Sequence, residues 1–131
     1  MMIGDNSEAT MKGNVVFENL QVPATADVEI EIKLRAQVNI TATTAQRKVS
    51  RFMLDRVSNL LCGNPPTLIV GERLHWRVPI WLGFPARGLI GKVGEMDVDV
   101  ETGELIFTDS LLAEIGRQTD ALAQRTLSGT K

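Results

Sequence analysis

Apolar and polar residues alternate with period two along three stretches of this chain. That alternation limits the fold to one built on a half-buried β-sheet. In the first stretch Val28, Ile30, Ile32, Leu34, Ala36, Val38 and Ile40 alternate with Glu29, Glu31, Lys33, Arg35, Gln37 and Asn39. A straight strand of this length spans ~43 Å at ~3.3 Å per residue. A compact domain of 131 residues is only about 36 Å across. The strand is therefore expected to bend, break or bulge near Ala36, or to project into a partner. In the second stretch Leu74, Trp76, Val78, Ile80 and Leu82 alternate with Arg73, His75, Arg77, Pro79 and Trp81. In the third, Lys92 to Val100, Met96, Val98 and Val100 oppose Glu95, Asp97 and Asp99.

The rest of the chain fits around these strands. Residues 1–13 are polar and aperiodic and read as a loose tail, leaving 14–131 as a single domain. Val15 to Phe17 is a candidate strand. Ala45, Val49, Phe52, Met53, Val57, Leu60 and Leu61 fall at helical spacing, which predicts a helix from Thr43 to Cys62. Gly63 is its expected C-cap, and Pro65 and Pro66 forbid continuation. Thr67 to Val70 is a short apolar run. Pro79 lacks an N–H, so its strand is expected at an edge, or with that position turned outward. Residues 83–91, GFPARGLIG, read as a loop. Gly103 supplies a positive φ for a tight hairpin turn at 101–103. Asp109 or Ser110 is the expected cap of a last helix, with Leu111, Leu112, Ile115 and Leu122 inward. The fold class is α+β: an antiparallel sheet, one helix on its inner face, and a C-terminal helix.

The two later alternating stretches can be registered against each other. Taking Leu82 and Lys92 as the pair flanking the loop places Leu74, Trp76 and Val78 opposite Val100, Val98 and Met96 on the inner face. Arg73, His75 and Arg77 then oppose Glu101, Asp99 and Asp97 on the outer face. Opposite charges facing across strands stabilise by about 0.2–1 kcal/mol each.

Composition narrows the function classes. Hydrophobic residues make up 44% and charged residues 23%, a globular balance. The net charge of -2 supplies no broad field for nucleic acid or anionic lipid. Cys62 is the only cysteine, so no internal disulfide forms, which suits a reducing cytoplasm of bacterial type. No basic start leads into an apolar run, and no stretch approaches ~18 apolar residues, so neither export signal nor membrane span is expected.

Catalytic patterns fail residue by residue. Glu95, Asp97, Asp99, Glu101 and Glu104 are the densest acidic cluster, and a metal-dependent enzyme using strand 95–104 is one alternative. An EF-hand loop starting at Asp97 would need glycine at Thr102 and glutamate at Thr108. The expected reading is a solvated strand face, neutralised by its neighbour. His75 is the only histidine, and no nucleophile signature surrounds Cys62, so both read as structural. Gly91-Lys92 suggests a phosphate loop, but that pattern needs glycine at Ala86 and Ser or Thr at Val93. No metal and no cofactor are expected.

Two surface features suggest binding. Trp81 falls on the outer face near Phe84 and Pro85, and exposed aromatics favour protein interfaces, including a homodimer. Arg47, Lys48 and Arg51 give the predicted helix a basic face, an alternative nucleic-acid site that the scarcity of aromatics disfavours.

Trp76-Arg77-Val78 and Val98-Asp99-Val100-Glu101-Thr102-Gly103-Glu104-Leu105 follow the helix in an order that resembles the PepSY domain. The resemblance covers roughly residues 43–108. It implies a small non-catalytic binding module, in a family whose members are often proposed to inhibit peptidases and are often exported. This chain departs from that pattern in its long first strand and its C-terminal helix. The expectation is a non-enzymatic protein-binding or regulatory module.

Overall fold

A computed structural model describes residues 15–18 and 38–128. The tail 1–13 and most of the first alternating stretch, 28–37, lie outside the described residues. In chain order the elements are β1 (Val15–Phe17), α1 (Ala42–Arg56), β2 (Leu61–Gly63), β3 (Thr67–Val70), β4 (Leu74–Phe84), β5 (Gly88–Asp99), β6 (Leu105–Ile106) and α2 (Asp109–Ser128). The strands form one sheet in the order β1-β3-β4-β5-β6, with β2 also paired to β4. Every pairing is antiparallel except β1 with β3. The class is α+β, as the alternation predicts.

The β4–β5 ribbon carries the fold. From His75 to Ile80 the predicted register holds: His75 faces Asp99, Arg77 faces Asp97 and Val78 faces Met96. The flanking pair does not hold, because Leu82 faces Gly91 rather than Lys92. Register shifts fall between Ile80 and Trp81 and between Leu82 and Gly83. Each inserts one residue on β5, so together they move the pairing by two and keep the faces aligned. Residues 83–91 are accordingly mostly strand: the turn is only Pro85–Arg87, closed by Arg87 N–H to Phe84 O at 3.0 Å.

Pro79 sits on a central strand, not an edge. It faces the gap where β2 ends and β3 begins, and its carbonyl accepts from Asn64 N–H at 2.8 Å. A missing donor is harmless there, because no β2 or β3 residue pairs with Pro79 on that side.

Helix α1 starts at Thr41, whose hydroxyl accepts from Thr44 N–H at 3.1 Å. It stops at Arg56, earlier than Cys62. Ser58 Oγ accepts from Leu60 N–H at 3.1 Å, a local bond that competes with the helix. Leu60 and Leu61 are apolar because Leu61 enters a strand, not because they extend a helical stripe, and Gly63 is not a helix cap. Helix α2 is capped by Thr108, one residue before the predicted positions: its hydroxyl accepts from Leu111 N–H at 3.1 Å.

Both helices lie on one face of the sheet. Ala45, Val49 and Met53 of α1 and Ile115 of α2 join Trp76, Val78, Ile80, Leu82, Met96 and Val98 in one core. Gly91 and Gly94 admit α2. A Cβ on Gly94 would lie 2.7 Å from Ile115 Cγ1, and one on Gly91 would lie 2.9 Å from Leu122 Cδ2. Gly91 and Gly94 are therefore a bed for a helix, while Gly88, with φ 78°, serves the turn.

Trp76 is 3% exposed and its indole N–H donates to Ile40 O at 2.8 Å. Asn39 and Ile40 N–H both reach Val100 O, at 2.9 and 3.1 Å. The described end of the first alternating stretch, 38–40, thus clamps the end of β5 and is not itself strand. Among the described residues no helix is long and apolar enough to cross a membrane.

Candidate functional site

The three-residue β2 pairs with β4 on one side, and α1 manages its other edge. Gly63 N–H donates to Ser50 Oγ at 2.8 Å, and Gln46 Nε2 donates to Gly63 O at 3.0 Å. These side chains satisfy the groups that another strand would otherwise seek. A Cβ on Gly63 would lie 2.8 Å from Val78 Cγ1 and 3.0 Å from Gln46 O, so this close approach needs glycine.

A groove runs along each side of β2. The first lies against α1 and is lined by Thr43, Arg47, Arg51, Leu54, Leu61 and Cys62. The second lies against the β4–β5 turn and is lined by Leu60, Leu61, Cys62, Phe84, Pro85 and Leu89. Leu61 and Cys62 belong to both. At the two rims Leu54 is 51% exposed and Leu89 is 54% exposed. Large apolar side chains exposed on both sides of a shared floor are a feature of binding surfaces.

The first groove is cationic. Arg51 Nε is 3.2 Å from Asp55 Oδ2, while among the described residues no carboxylate stands within ion-pair distance of Arg47. The first turn of α1 carries no acidic residue. The positive end of the helix dipole therefore adds to the arginines.

The predicted binding residues separate. Phe84 and Pro85 line the second groove together, and Phe84 also packs on the core. Trp81 is half-buried on the opposite, helix-free face, with Cys62 and Lys92 as its cross-strand neighbours. Helix α2 does not cover it, because α2 docks on the inner face. Arg47 and Arg51 share the first groove, but Lys48 leans toward the 101–103 turn, its Nζ 3.1 Å from where a Gly103 Cβ would stand. The three cations do not form one face.

The acidic stripe is cross-paired on that helix-free face. Arg77 donates to both Asp97 oxygens, at 2.9 and 3.1 Å, and reaches Glu18 at 3.4 Å and Glu95 at 3.7 Å. The hydrogen bond to Asp97 holds the guanidinium's pKa above its ordinary value. His75 Nε2 lies 3.2 Å from Asp97 Oδ2, and Arg73 lies 2.7 Å from Asp99. The contacts of His75 and Arg73 therefore run diagonally, two residues from the predicted partners. Asp99 is 5% exposed and accepts from Thr102 N–H at 3.0 Å and Glu101 N–H at 2.8 Å. The backbone bond from Thr102 is the main cause that pulls its pKa below the ordinary carboxylate value. Among the described residues no group of three or more His, Cys, Asp or Glu side chains is placed to hold a metal.

Sequence reasoning missed Leu54 and Leu89 as surface residues. Leu54 carried a signal: it is apolar yet stands between Arg51 and Asp55, off the buried stripe. Comparison with protein-family models, curated proteins and solved structures gives no match to this chain.

Proposed function

We propose that this protein is a non-enzymatic protein-binding module of the cytoplasm, which docks a segment of a partner protein across β2. The observation that carries the reading is the pair of exposed leucines, Leu54 and Leu89, flanking a floor shared by two grooves. Fully burying a leucine side chain contributes ~1.5–3 kcal/mol. Two half-exposed leucines contribute less, and association itself costs several kcal/mol, so a partner must also use Phe84, Pro85 and the arginines. The PepSY resemblance supports a binding role over catalysis, and the single cysteine supports a reducing compartment.

Co-purification from cells that make the protein tests this. The full chain is compared with Leu54→Asp and Leu89→Asp, each at an exposed position. The reading predicts a protein recovered with the wild type and lost with both variants. Recovery that neither substitution alters refutes it. Native mass of the complex then shows whether the partner is a second copy.

A further inference from the structure

We infer that the partner segment is anionic: an extended stretch alternating carboxylate and apolar side chains, lying in the groove between α1 and β2. The inference rests on the docking reading above and adds the chemistry of the partner. Three features of one groove agree in sign. Arg47 and Arg51 line its helical wall, the first turn of α1 has no acidic residue, and among the described residues Asp55, paired with Arg51, is the only carboxylate within ion-pair distance of either arginine. The field in the groove therefore selects negative charge, although the whole chain carries -2.

Spacing sets the pattern. Side chains one helical turn apart are ~5–6 Å from each other. In an extended segment, residues two apart are ~6.5–7 Å from each other and point the same way. Two carboxylates separated by one residue thus match Arg47 and Arg51. The intervening side chain points the other way, toward Leu61 and Cys62, and an apolar residue fits that floor. Among the described residues the groove has no aromatic side chain on which a base could stack. That favours a peptide over a nucleic acid strand.

The test uses the full chain and three fluorescein-labelled probes: Glu-Leu-Glu-Leu-Glu, Lys-Leu-Lys-Leu-Lys and oligothymidylate, followed by anisotropy. The acidic peptide should bind and the lysine peptide should not. Reversing both cations, Arg47→Glu with Arg51→Glu, should weaken binding by roughly tenfold or more, from two lost pairs and two new repulsions. The double Arg→Gln variant should fall between. Salt should weaken binding severalfold as the Debye length shrinks from ~10 Å toward ~3 Å. Bound peptide should slow alkylation of Cys62. Equal binding of the lysine peptide, indifference to charge reversal, no binding by the acidic peptide, or binding of oligothymidylate alone overturns the inference. The two readings fail separately. A co-purified partner lost with Leu89→Asp but kept with the arginine reversal leaves docking intact and removes the anionic preference. A partner kept by every variant removes docking itself.

Discussion

Adding one methyl group at Gly94 tests how α2 is held. The new Cβ would stand 2.7 Å from Ile115 Cγ1 and 3.3 Å from its Cδ1. Ile115 is 1% exposed and sits in the core cluster. Overpacking a close-packed site costs ~1–3 kcal/mol. Replacing glycine by alanine inside a strand returns roughly 0.5–1 kcal/mol of chain entropy. Gly94→Ala should therefore destabilise by about 1–2 kcal/mol, or lower Tm by roughly 4–8 °C in a chain of this length. Urea unfolding followed by tryptophan fluorescence measures it, with Cm falling and m unchanged. Gly116 is the control, since a Cβ there meets nothing within 4 Å. Gly116→Ala, inside α2, should stabilise by ~0.5–1 kcal/mol. Ile115→Ala removes the obstructing atoms, so combined with Gly94→Ala it should show a coupling of at least ~1 kcal/mol. Gly94→Ala at or above wild-type stability, or strict additivity with Ile115→Ala, would refute this account of the glycines.

Other consequences concern the sheet's two sides. Arg77→Glu should cost about 1–3 kcal/mol, because it breaks the paired bonds to Asp97 and sets like charges against Glu18 and Glu95. The exposed Arg47→Glu should stay within about 0.5 kcal/mol in the same denaturant titration; equal losses would count against the cross-strand ladder. Asp99→Asn should cost about 1 kcal/mol at pH 7, the difference between charged and neutral acceptors for the Thr102 and Glu101 amides. Asp99's pKa is lowered in the fold, so its contribution is present above the unfolded value of ~3.9 and lost as pH falls through the folded value. The gap between wild type and Asp99→Asn in Cm should therefore close on acidification below that range, and a gap that widens contradicts the assignment. Ser50→Ala leaves Gly63 N–H without its acceptor and should cost ~1–3 kcal/mol, with faster hydrogen exchange at Gly63.

What the sequence revealed depended on how local the physics was. Alternation from Leu74 to Leu82 is a one-strand property, and it placed Trp76 inside and Trp81 outside correctly. The turn at 101–103, with Gly103 at φ 78°, is likewise local chemistry; that Asp99 is buried and bonds the turn amides rather than lying on a solvated face was not foreseen. The bulges at β5 escaped, because a skipped residue is visible only once two strands are paired; the predicted register holds only from His75 to Ile80, and the two shifts together move the pairing by two, which keeps the faces aligned. The helix end was misplaced because Leu60 and Leu61 continue an apolar period of 3.6 by coincidence, while the chain leaves the helix at Val57, and Ser58 Oγ takes the Leu60 N–H instead. Gly91 and Gly94 could not be understood alone, since what they accommodate is Ile115 and Leu122, far along the chain. The candidate surface was half legible. Phe84, Pro85, Arg47 and Arg51 stood out by residue type, but only folding brings them to the two sides of β2.

Cys62 offers the most direct measurement of that surface, being the sole cysteine and lying on the floor of both grooves. A short photoactivatable maleimide on Cys62, irradiated in an extract of cells that make the protein, should give one defined protein adduct. That adduct should fade with Leu54→Asp and with Leu89→Asp. An adduct of the same yield in both variants, or labelling no different from a probe placed on exposed Gln124 through Gln124→Cys in a Cys62→Ser background, would show that nothing docks across β2.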